Sequence, residues 1–357
     1  MNNTSFSICI PNYNYAKYIG ETIQSVLDQT YQNFEIIVAD NASTDNSLEV
    51  IQSFDDERIH LIQNRYNIGF APNLQQVSRE AKNEFMILLS SDDRMKPEAL
   101  KVYSEIIGMQ GDNANKLVIY SEANQINGQG EEMPYPVLQY PFYEKLQSVE
   151  KKIPCGYSIK LYQGKEVLKE AILQLGPAGP FLTMVFPRFL YEAVEGYNNV
   201  HLTDPDTHFC YKILRQYPDV AWINKPLFEY RVHGSNQLDQ QRKQASIKKP
   251  IDKYLHTIEI EESLLQVLGI TRQDIIRTFV NKYCINEMFS YLARKHYNQA
   301  FKGLSFAFTT YPGQVLRSKR AYLMAFLLLL GPLAPVTTRL LRSVYKSLGG
   351  KMEYGYF

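Results

Sequence analysis

The sequence lacks the features that mark several protein classes. Its four cysteines are scattered and form no CxxC pair, which argues against a zinc knuckle or a disulfide framework and favours a reducing cytosol. With 38 Lys and Arg against 37 Asp and Glu, it also lacks the basic excess of a nucleic-acid-binding protein, so we expect no nucleic-acid partner. The N-terminus has no basic segment and no small-residue cleavage site, so the sequence predicts no secretory signal.

Two common nucleotide-binding motifs are also missing. No GxGxxG follows the first predicted strand, which disfavours a dinucleotide-binding Rossmann domain. No GxxxxGK[ST] occurs anywhere in the chain, which disfavours a P-loop NTPase. A nucleotide bound to this chain is therefore expected to be held by side chains and a metal ion.

Short β-branched strands alternate with amphipathic helices over the first 120 residues. Such alternation predicts a mostly parallel sheet with helices on both faces, joined by right-handed crossovers. Ligands bind such sheets at the carboxyl ends of the strands. The predicted strands are Phe6–Ile10, Phe34–Ala39, Ile59–Ile62, Glu84–Leu89 and Leu117–Tyr120.

Length and composition divide the chain into regions. At roughly 150 residues per domain, 357 residues predict about two domains. The stretch from Gly234 to Pro250 has almost no apolar residue, so we place a linker at 237–250. We therefore predict an α/β domain over 1–236, with halves of about 1–125 and 126–236, and a helical region over 251–357.

Polar clusters follow three of the predicted strands, in the runs IPNYN, VADNASTD and LLSSDD. In the last run, Asp92 and Asp93 come directly after a buried strand, where two carboxylates repel each other unless a cation is present. Hard oxygen ligands suit Mn²⁺ or Mg²⁺. The alternative is a turn or a helix N-cap before Pro97.

The order and spacing of these runs are specific. The segments IPNYNYAKYIGETIQSVLDQTYQNFEIIVADNASTDNS, NIGFAPN and LLSSDD resemble the nucleotide-sugar-binding half of the inverting family 2 glycosyltransferases. The resemblance runs from about Ser5 to Asn236. It implies an α/β chain of GT-A fold, a Rossmann-like mixed sheet flanked by helices, followed here by a C-terminal helical region. It also implies transfer of one sugar, with inversion, from a nucleoside diphosphate sugar to a saccharide or lipid-linked acceptor in cell-surface glycan biosynthesis.

The resemblance assigns residues to the nucleotide sugar. Asn41 stands where the family has a second acid, and its amide oxygen can still accept a hydrogen bond from a pyrimidine N3–H. For the NIGFAPN segment the alternative is a turn followed by a helix N-cap at Asn73. The residues implied to bind the base, ribose or phosphates are Pro11, Tyr13, Asp40, Asn41, Asn67, Gly69, Asn73, Asp92 and Arg231.

The resemblance also assigns a metal site and a general base. It implies that Asp92, Asp93 and His233 hold Mn²⁺ or Mg²⁺, although Ser90 stands where the family has its first acid. Asp204 takes the position of the base that deprotonates the acceptor hydroxyl as it attacks the anomeric carbon. The alternative is that Asp204 and Asp206 cap the following helix.

Two rival functions remain open at the level of sequence. A nucleotidyltransferase typically has a Gly-rich, basic loop after its first strand, and PNYN does not match it. A catalytically silent protein that binds sugar nucleotides, or a scaffold protein of the same fold, is the other rival. The chain has no QxxRW motif and a single tryptophan, Trp222, which favours a non-processive enzyme.

The C-terminal region combines positive charge with apolar residues. Residues 313–357 contain seven Lys and Arg and one acid, around the apolar stretch Ala321–Val336. Gly331, Pro332 and Pro335 interrupt this stretch, which is shorter than the roughly 20 residues that span a bilayer. We predict a cytoplasmic enzyme that is peripheral at the inner face of the membrane. The alternative is a buried helical hairpin or a homodimer interface.

Overall fold

The computed structural model describes residues 4–136, 140–197, 205–234, 247–333 and 336–337. The chain divides into two compact units. Unit 1 contains residues 1–168 and 177–233, and unit 2 contains residues 169–176 and 234–357. The linker predicted at 237–250 lies mostly outside the described residues, and the sequence did not predict that 169–176 belongs with the C-terminal part.

Unit 1 is built on one mixed sheet. The strands are β1 (Phe6–Asn12), β2 (Phe34–Asp40), β3 (Ile59–Gln63), β4 (Phe85–Leu88), β5 (Arg94–Met95), β6 (Leu117–Ile126), β7 (Glu132–Pro136), β8 (Val149–Lys152), β9 (Ser158–Tyr162), β10 (Val185–Pro187) and β11 (Asp219–Arg231). These described strands run in the order β3-β2-β1-β4-β10-β6-β11-β9-β8, with β5 paired to β11 and β7 paired to β6. Strand β1 is parallel to β2 and β4, and β6 is parallel to β11, while β10 is antiparallel to both of its neighbours.

Helices pack on the faces of this sheet. Helix α1 buries Ile19, Ile23 and Val26, which recur at helical spacing and join the core with the β-branched side chains of β1 and β2. Every residue of β2 is buried, as expected for a strand covered on both faces. The helices are α1 (Ala16–Leu27), α2 (Ser47–Gln52), α3 (Phe70–Arg79), α4 (Ala99–Gln110), α5 (Gly164–Gln174, shared between the two units), α6 (Arg188–Ala193) and α7 (Pro205–Leu214).

The described part of unit 2 is helical. A capping box formed by Thr271 and Asp274 starts the helix Arg272–Thr278. A π-helical segment, Phe279–Asn286, follows this helix directly. No helix among the described residues is both long enough and apolar enough to cross a membrane. The helices are α8 (Lys248–Glu259), α9 (Glu262–Leu268), α10 (Arg272–Thr278), α11 (Glu287–Ala293), α12 (Tyr297–Thr310), α13 (Pro312–Leu316) and α14 (Lys319–Leu329).

The predicted fold class is confirmed. The five strands expected from the sequence coincide with β1, β2, β3, β4 and β6, and a helical region follows the sheet. The later strands were harder to predict, because β5, β8 and β10 have only two to four residues each and carry no periodic pattern.

Candidate active site

The loops after β1, β2 and β4 lie at one edge of the sheet. The three strands are neighbours and run in parallel, so their carboxyl ends meet there. In the register of the sheet, Asn12 lies opposite Asp40, and Cys9 lies opposite Leu88. The polar clusters that the sequence places after each strand are therefore brought together by the topology.

Asp40 is buried and is held by the last residue of β1 and by the loop that follows β2. Its Oδ1 accepts hydrogen bonds from Asn12 Nδ2 (2.8 Å) and Ser43 Oγ (2.5 Å), and its Oδ2 accepts from the Ser43 amide (3.0 Å). Pro11 precedes this pair in β1, and the Tyr13 side chain is 39% exposed. Of Pro11, Tyr13 and Asp40, Tyr13 is thus the residue that is exposed to solvent.

The loop before α3 is held by a network of asparagines. Asn41 donates to Asn67 Oδ1 (2.9 Å) and accepts from the side chain of Asn64 (3.1 Å) and the backbone of Ile68 (2.9 Å). Asn73 is 2% exposed, donates to the Ala39 carbonyl (3.0 Å) and accepts from Asn64 Nδ2 (3.0 Å). These contacts show that Asn41 and Asn73, which the sequence assigns to the nucleotide, hold the loop in place.

Gly69 begins α3. It occupies the N-cap position with φ 90°, a left-handed conformation that side chains rarely adopt, and its amide donates to Asn67 Oδ1 (2.8 Å). The helix therefore starts at Phe70, three residues before Asn73, which lies inside it. The alternative that Asn73 caps this helix is wrong.

Asp92 and His233 meet across the site. Asp92 Oδ2 lies 3.0 Å from His233 Nε2, and both side chains are almost buried. The His233 ring packs against the rings of Tyr18 and Tyr15, with centroids 4.7 Å and 5.9 Å away. Gly128 approaches the same rings, since a Cβ placed there would lie 3.5 Å from the Tyr18 hydroxyl and 3.6 Å from His233 Cβ.

Asp93 points to backbone groups behind this pair. Its Oδ1 accepts from the Arg231 amide (2.8 Å), and its own carbonyl accepts from Thr22 Oγ1 (2.8 Å). Burial, followed by the negative charge of Asp92, raises the pKa of the Asp93 carboxyl well above its ordinary value. Burial and the same two carboxylates also raise the pKa of the Tyr15 hydroxyl. The site thus places two carboxyl groups side by side where solvent is excluded, which disfavours the charged form of Asp93.

Arg231 is completely buried behind the Asp92–Asp93 turn. Its Nε donates to the Asp92 carbonyl (2.7 Å), its Nη2 donates to Glu21 Oε2 (2.6 Å), and its guanidinium carbon lies 4.8 Å from the centre of the Tyr18 ring. These contacts support the turn that carries Asp92. They do not expose the guanidinium for the phosphate contact that the resemblance implied.

Sequence reasoning missed several residues of this site. Glu21 also accepts from Arg94 Nη1 (3.2 Å), and Arg94 Nε donates to Glu229 Oε2 (2.7 Å) between the paired strands β5 and β11. Tyr18 and Glu21 lie three residues apart at the start of α1, and this spacing on the helix following the first polar loop is a signal that the sequence does contain. Asp204, the predicted base, lies outside the described residues.

The donor atoms at Asp92 and His233 fit a divalent cation. A carboxylate and an imidazole 3.0 Å apart supply two ligands, and Mg²⁺ usually binds one or two carboxylates together with substrate phosphates. Asp93 fits less well as a direct ligand, because one of its oxygens is engaged by the Arg231 amide. In the part of the chain that the structure describes, no group of three or more His, Cys, Asp or Glu side chains is arranged to hold a metal ion.

Comparison with known proteins identifies the class of this domain. Residues 7–159 match the family described as Glycosyl transferase family 2. The matched region contains β1 to β4 and the polar loops at their ends. The chain therefore carries a glycosyl transferase family 2 domain, as the sequence motifs predicted.

Individual relatives are similar over the same part of the chain. It is 35% identical over 103 residues to the glycosyltransferase GlyG of Streptococcus pneumoniae, covering 28% of this chain and 34% of GlyG. It is 39% identical over 93 residues to WfgD of Escherichia coli, a UDP-Glc:alpha-D-GlcNAc-diphosphoundecaprenol beta-1,3-glucosyltransferase, covering 26% of this chain and 37% of WfgD. The chain thus matches well under half of the length of these relatives.

A solved structure extends the likeness to almost the whole chain. The crystal structure of Staphylococcus aureus TarS 1-349 in complex with UDP-GlcNAc covers 99% of this chain and 95% of its own, with a TM-score of 0.59 and 16% identity. At that identity the likeness shows the fold alone. It includes the helical region that follows the sheet.

Proposed function

We propose that this chain is a metal-dependent, inverting glycosyltransferase that moves one sugar from a nucleoside diphosphate sugar to a saccharide or lipid-linked acceptor in cell-surface glycan biosynthesis. The observation that carries the proposal is the contact between Asp92, which lies in the region that matches family 2, and His233. The relatives support it, because GlyG and WfgD are named as glycosyltransferases and WfgD uses UDP-Glc. A UDP-sugar is therefore the first donor to test.

Each part of the site has a proposed task. Asp40, fixed by Asn12 and Ser43, and the exposed Tyr13 contact the nucleoside. Asp92 and His233 would hold Mn²⁺ or Mg²⁺, which when bound would stabilise negative charge on the nucleoside diphosphate. Asp204 removes the proton from the acceptor hydroxyl as that oxygen attacks the anomeric carbon from the opposite face.

Donor binding to the purified full chain tests the proposal. Isothermal titration calorimetry with UDP-glucose and UDP-N-acetylglucosamine is run with Mn²⁺ and then with EDTA. We expect binding of at least one donor with Mn²⁺, a loss of at least about tenfold in affinity with EDTA, and a similar loss in Asp92→Asn with Mn²⁺ present. Slow release of UDP from the same donor reports the transferase chemistry.

The control is Asp55→Asn, which removes one carboxylate from an exposed position in the same unit. It should bind the donor as the wild type does. Equal donor affinity with Mn²⁺ and with EDTA would exclude the metal assignment. Donor binding without UDP release or sugar transfer, across a panel of acceptors, would favour the catalytically silent sugar-nucleotide-binding protein.

A further inference from the structure

Helix α14 in unit 2 has two apolar faces on opposite sides. Ala321, Met324 and Leu327 are buried and recur every three residues. At 100° per residue, the side chains of Tyr322, Leu323, Phe326 and Leu329 fall within a stripe about 120° wide on the other side of the helix. We call these four residues the outer face. Their exposures are 59%, 40%, 56% and 85%.

The outer face continues beyond the helix. Leu316 at the end of α13 is 54% exposed, and its carbonyl accepts a hydrogen bond from the Tyr322 hydroxyl (2.9 Å), so it lies beside this face. Leu333, in the short turn after the helix, is 65% exposed. Contiguous exposed apolar side chains of this kind are rare on a protein surface that contacts only water.

Positive charge borders the outer face. Arg317, Lys319 and Arg320 are exposed at the start of the helix, and Lys319 projects on the same side as Tyr322. Beyond Arg320, the helix contains no charged residue. The sequence from 313 to 357 holds seven basic residues and one acid. An exposed apolar stripe with basic residues at its end is the pattern of a helix that lies in a membrane interface.

The basic residues beside the outer face indicate what kind of partner can bind it. In a symmetric dimer with parallel helices, Arg317 and Lys319 of one copy would approach the basic residues of the other and repel them. In an antiparallel dimer they would face the end of the helix that contains no charged residue, so a second copy offers these basic residues no negative charge in either arrangement. An anionic bilayer instead offers negative headgroups to the basic residues and acyl chains to Phe326 and Leu329. We propose that the outer face inserts into the surface of an anionic phospholipid bilayer, with the axis of α14 parallel to it.

Vesicle co-sedimentation of the purified full chain tests this proposal. The probes are vesicles of phosphatidylcholine alone and vesicles that also contain phosphatidylglycerol, without any nucleotide sugar or acceptor. We expect sedimentation with the anionic vesicles only, and weaker binding at high salt. The double variant Phe326→Ser/Leu329→Ser should lose at least about tenfold in partition coefficient. The matched control is Val267→Ser, which removes another exposed apolar side chain of unit 2 from α9.

A second variant separates charge from apolar contact. Arg317→Gln/Lys319→Gln should also lose at least about tenfold, since each basic residue near an anionic surface strengthens binding. Lys151→Gln/Lys152→Gln on strand β8 removes the same charge from unit 1 and should leave binding unchanged.

Equal sedimentation with both kinds of vesicle, or sedimentation with neither, would overturn the proposal. So would analytical ultracentrifugation that shows a dimer in the wild type and a monomer in Phe326→Ser/Leu329→Ser. Because no donor is present, these outcomes do not depend on the proposed transferase activity.

Discussion

The buried guanidinium of Arg231 lies 2.6 Å from the carboxylate of Glu21, although the two residues are 210 positions apart in the sequence. The same guanidinium donates to the Asp92 carbonyl. Glu21 is thereby linked to the turn that carries Asp92 without touching it. The ion pair joins the first helix of unit 1 to the end of its last strand.

Neutralising this carboxylate should destabilise unit 1. In Glu21→Gln the fully buried Arg231 loses a compensating charge, but Glu21 is half exposed, so solvent already screens the pair. We expect the free energy of unfolding to fall by about 1 kcal/mol. Urea titration followed by the fluorescence of Trp222, the single tryptophan, measures the change in unit 1.

A comparable ion pair on the surface provides the control. Glu192 pairs with Arg188 four residues away on α6, and both side chains are well exposed. Glu192→Gln should change the free energy of unfolding by less than about 0.5 kcal/mol. Equal losses in Glu21→Gln and Glu192→Gln would mean that Glu21 does not stabilise the buried arginine.

Removing Asn73 should destabilise the loop network rather than only weaken donor binding. Asn73→Ala leaves the Ala39 carbonyl and the Asn64 amide without their buried partner, at a cost of about 1–3 kcal/mol. The same urea titration measures this loss, and Asn113→Ala at an exposed position is the control. If unfolding is unchanged while UDP binding weakens, Asn73 acts at the nucleotide alone.

Asp45 should make stability depend on pH. Partial burial would raise the pKa of its carboxyl, but hydrogen bonds from the Ser47 side chain and from the Ala16 and Ser47 amides outweigh burial and lower it. The folded protein therefore holds this proton less tightly than the unfolded chain, whose Asp pKa is about 3.9. Its stabilisation is present above that pH and is lost as the pH falls through the lower pKa of the folded state.

The substitution Asp45→Asn measures this contribution. At pH 7 it should lower the free energy of unfolding by less than about 1 kcal/mol, because Asp45 is exposed and solvent screens its charge, and the difference from the wild type should close as the pH falls below about 4. Urea titrations at several pH values follow the difference. Asp55→Asn, at an exposed position, should show no such trend. A difference for Asp45→Asn that stays constant down to pH 2 would contradict the pKa direction.

The proposed base can be separated from a helix cap. Asp204→Asn should leave UDP-sugar binding unchanged and lower the rate of transfer by at least about a hundredfold, because the acceptor hydroxyl then keeps its proton. Asp206, in the first turn of α7, is the matched control, and Asp206→Asn should retain transfer. Calorimetry and UDP release measure the two quantities. An unchanged transfer rate in Asp204→Asn, or equal losses of transfer rate in both variants, would show that Asp204 is not the general base.

Local patterns allowed much of the fold to be predicted. The β-branched runs of β1 and β2 and the stripe of Ile19, Ile23 and Val26 predict a parallel sheet with helices, because the burial of each element follows from its own periodicity. The polar runs after β1, β2 and β4 could be assigned to one edge for the same reason, since parallel strands end together.

The sequence by itself determined the alternation of strands and helices, the family of the first domain, and the concentration of basic and apolar residues near the end of the chain. Only the tertiary structure decided what the site residues contact. It brings His233 to Asp92, buries Arg231 against Glu21, and ties Asn73 to Ala39. These contacts depend on which distant segments become neighbours in the sheet. The types and spacing of side chains along the chain do not indicate which segments those are.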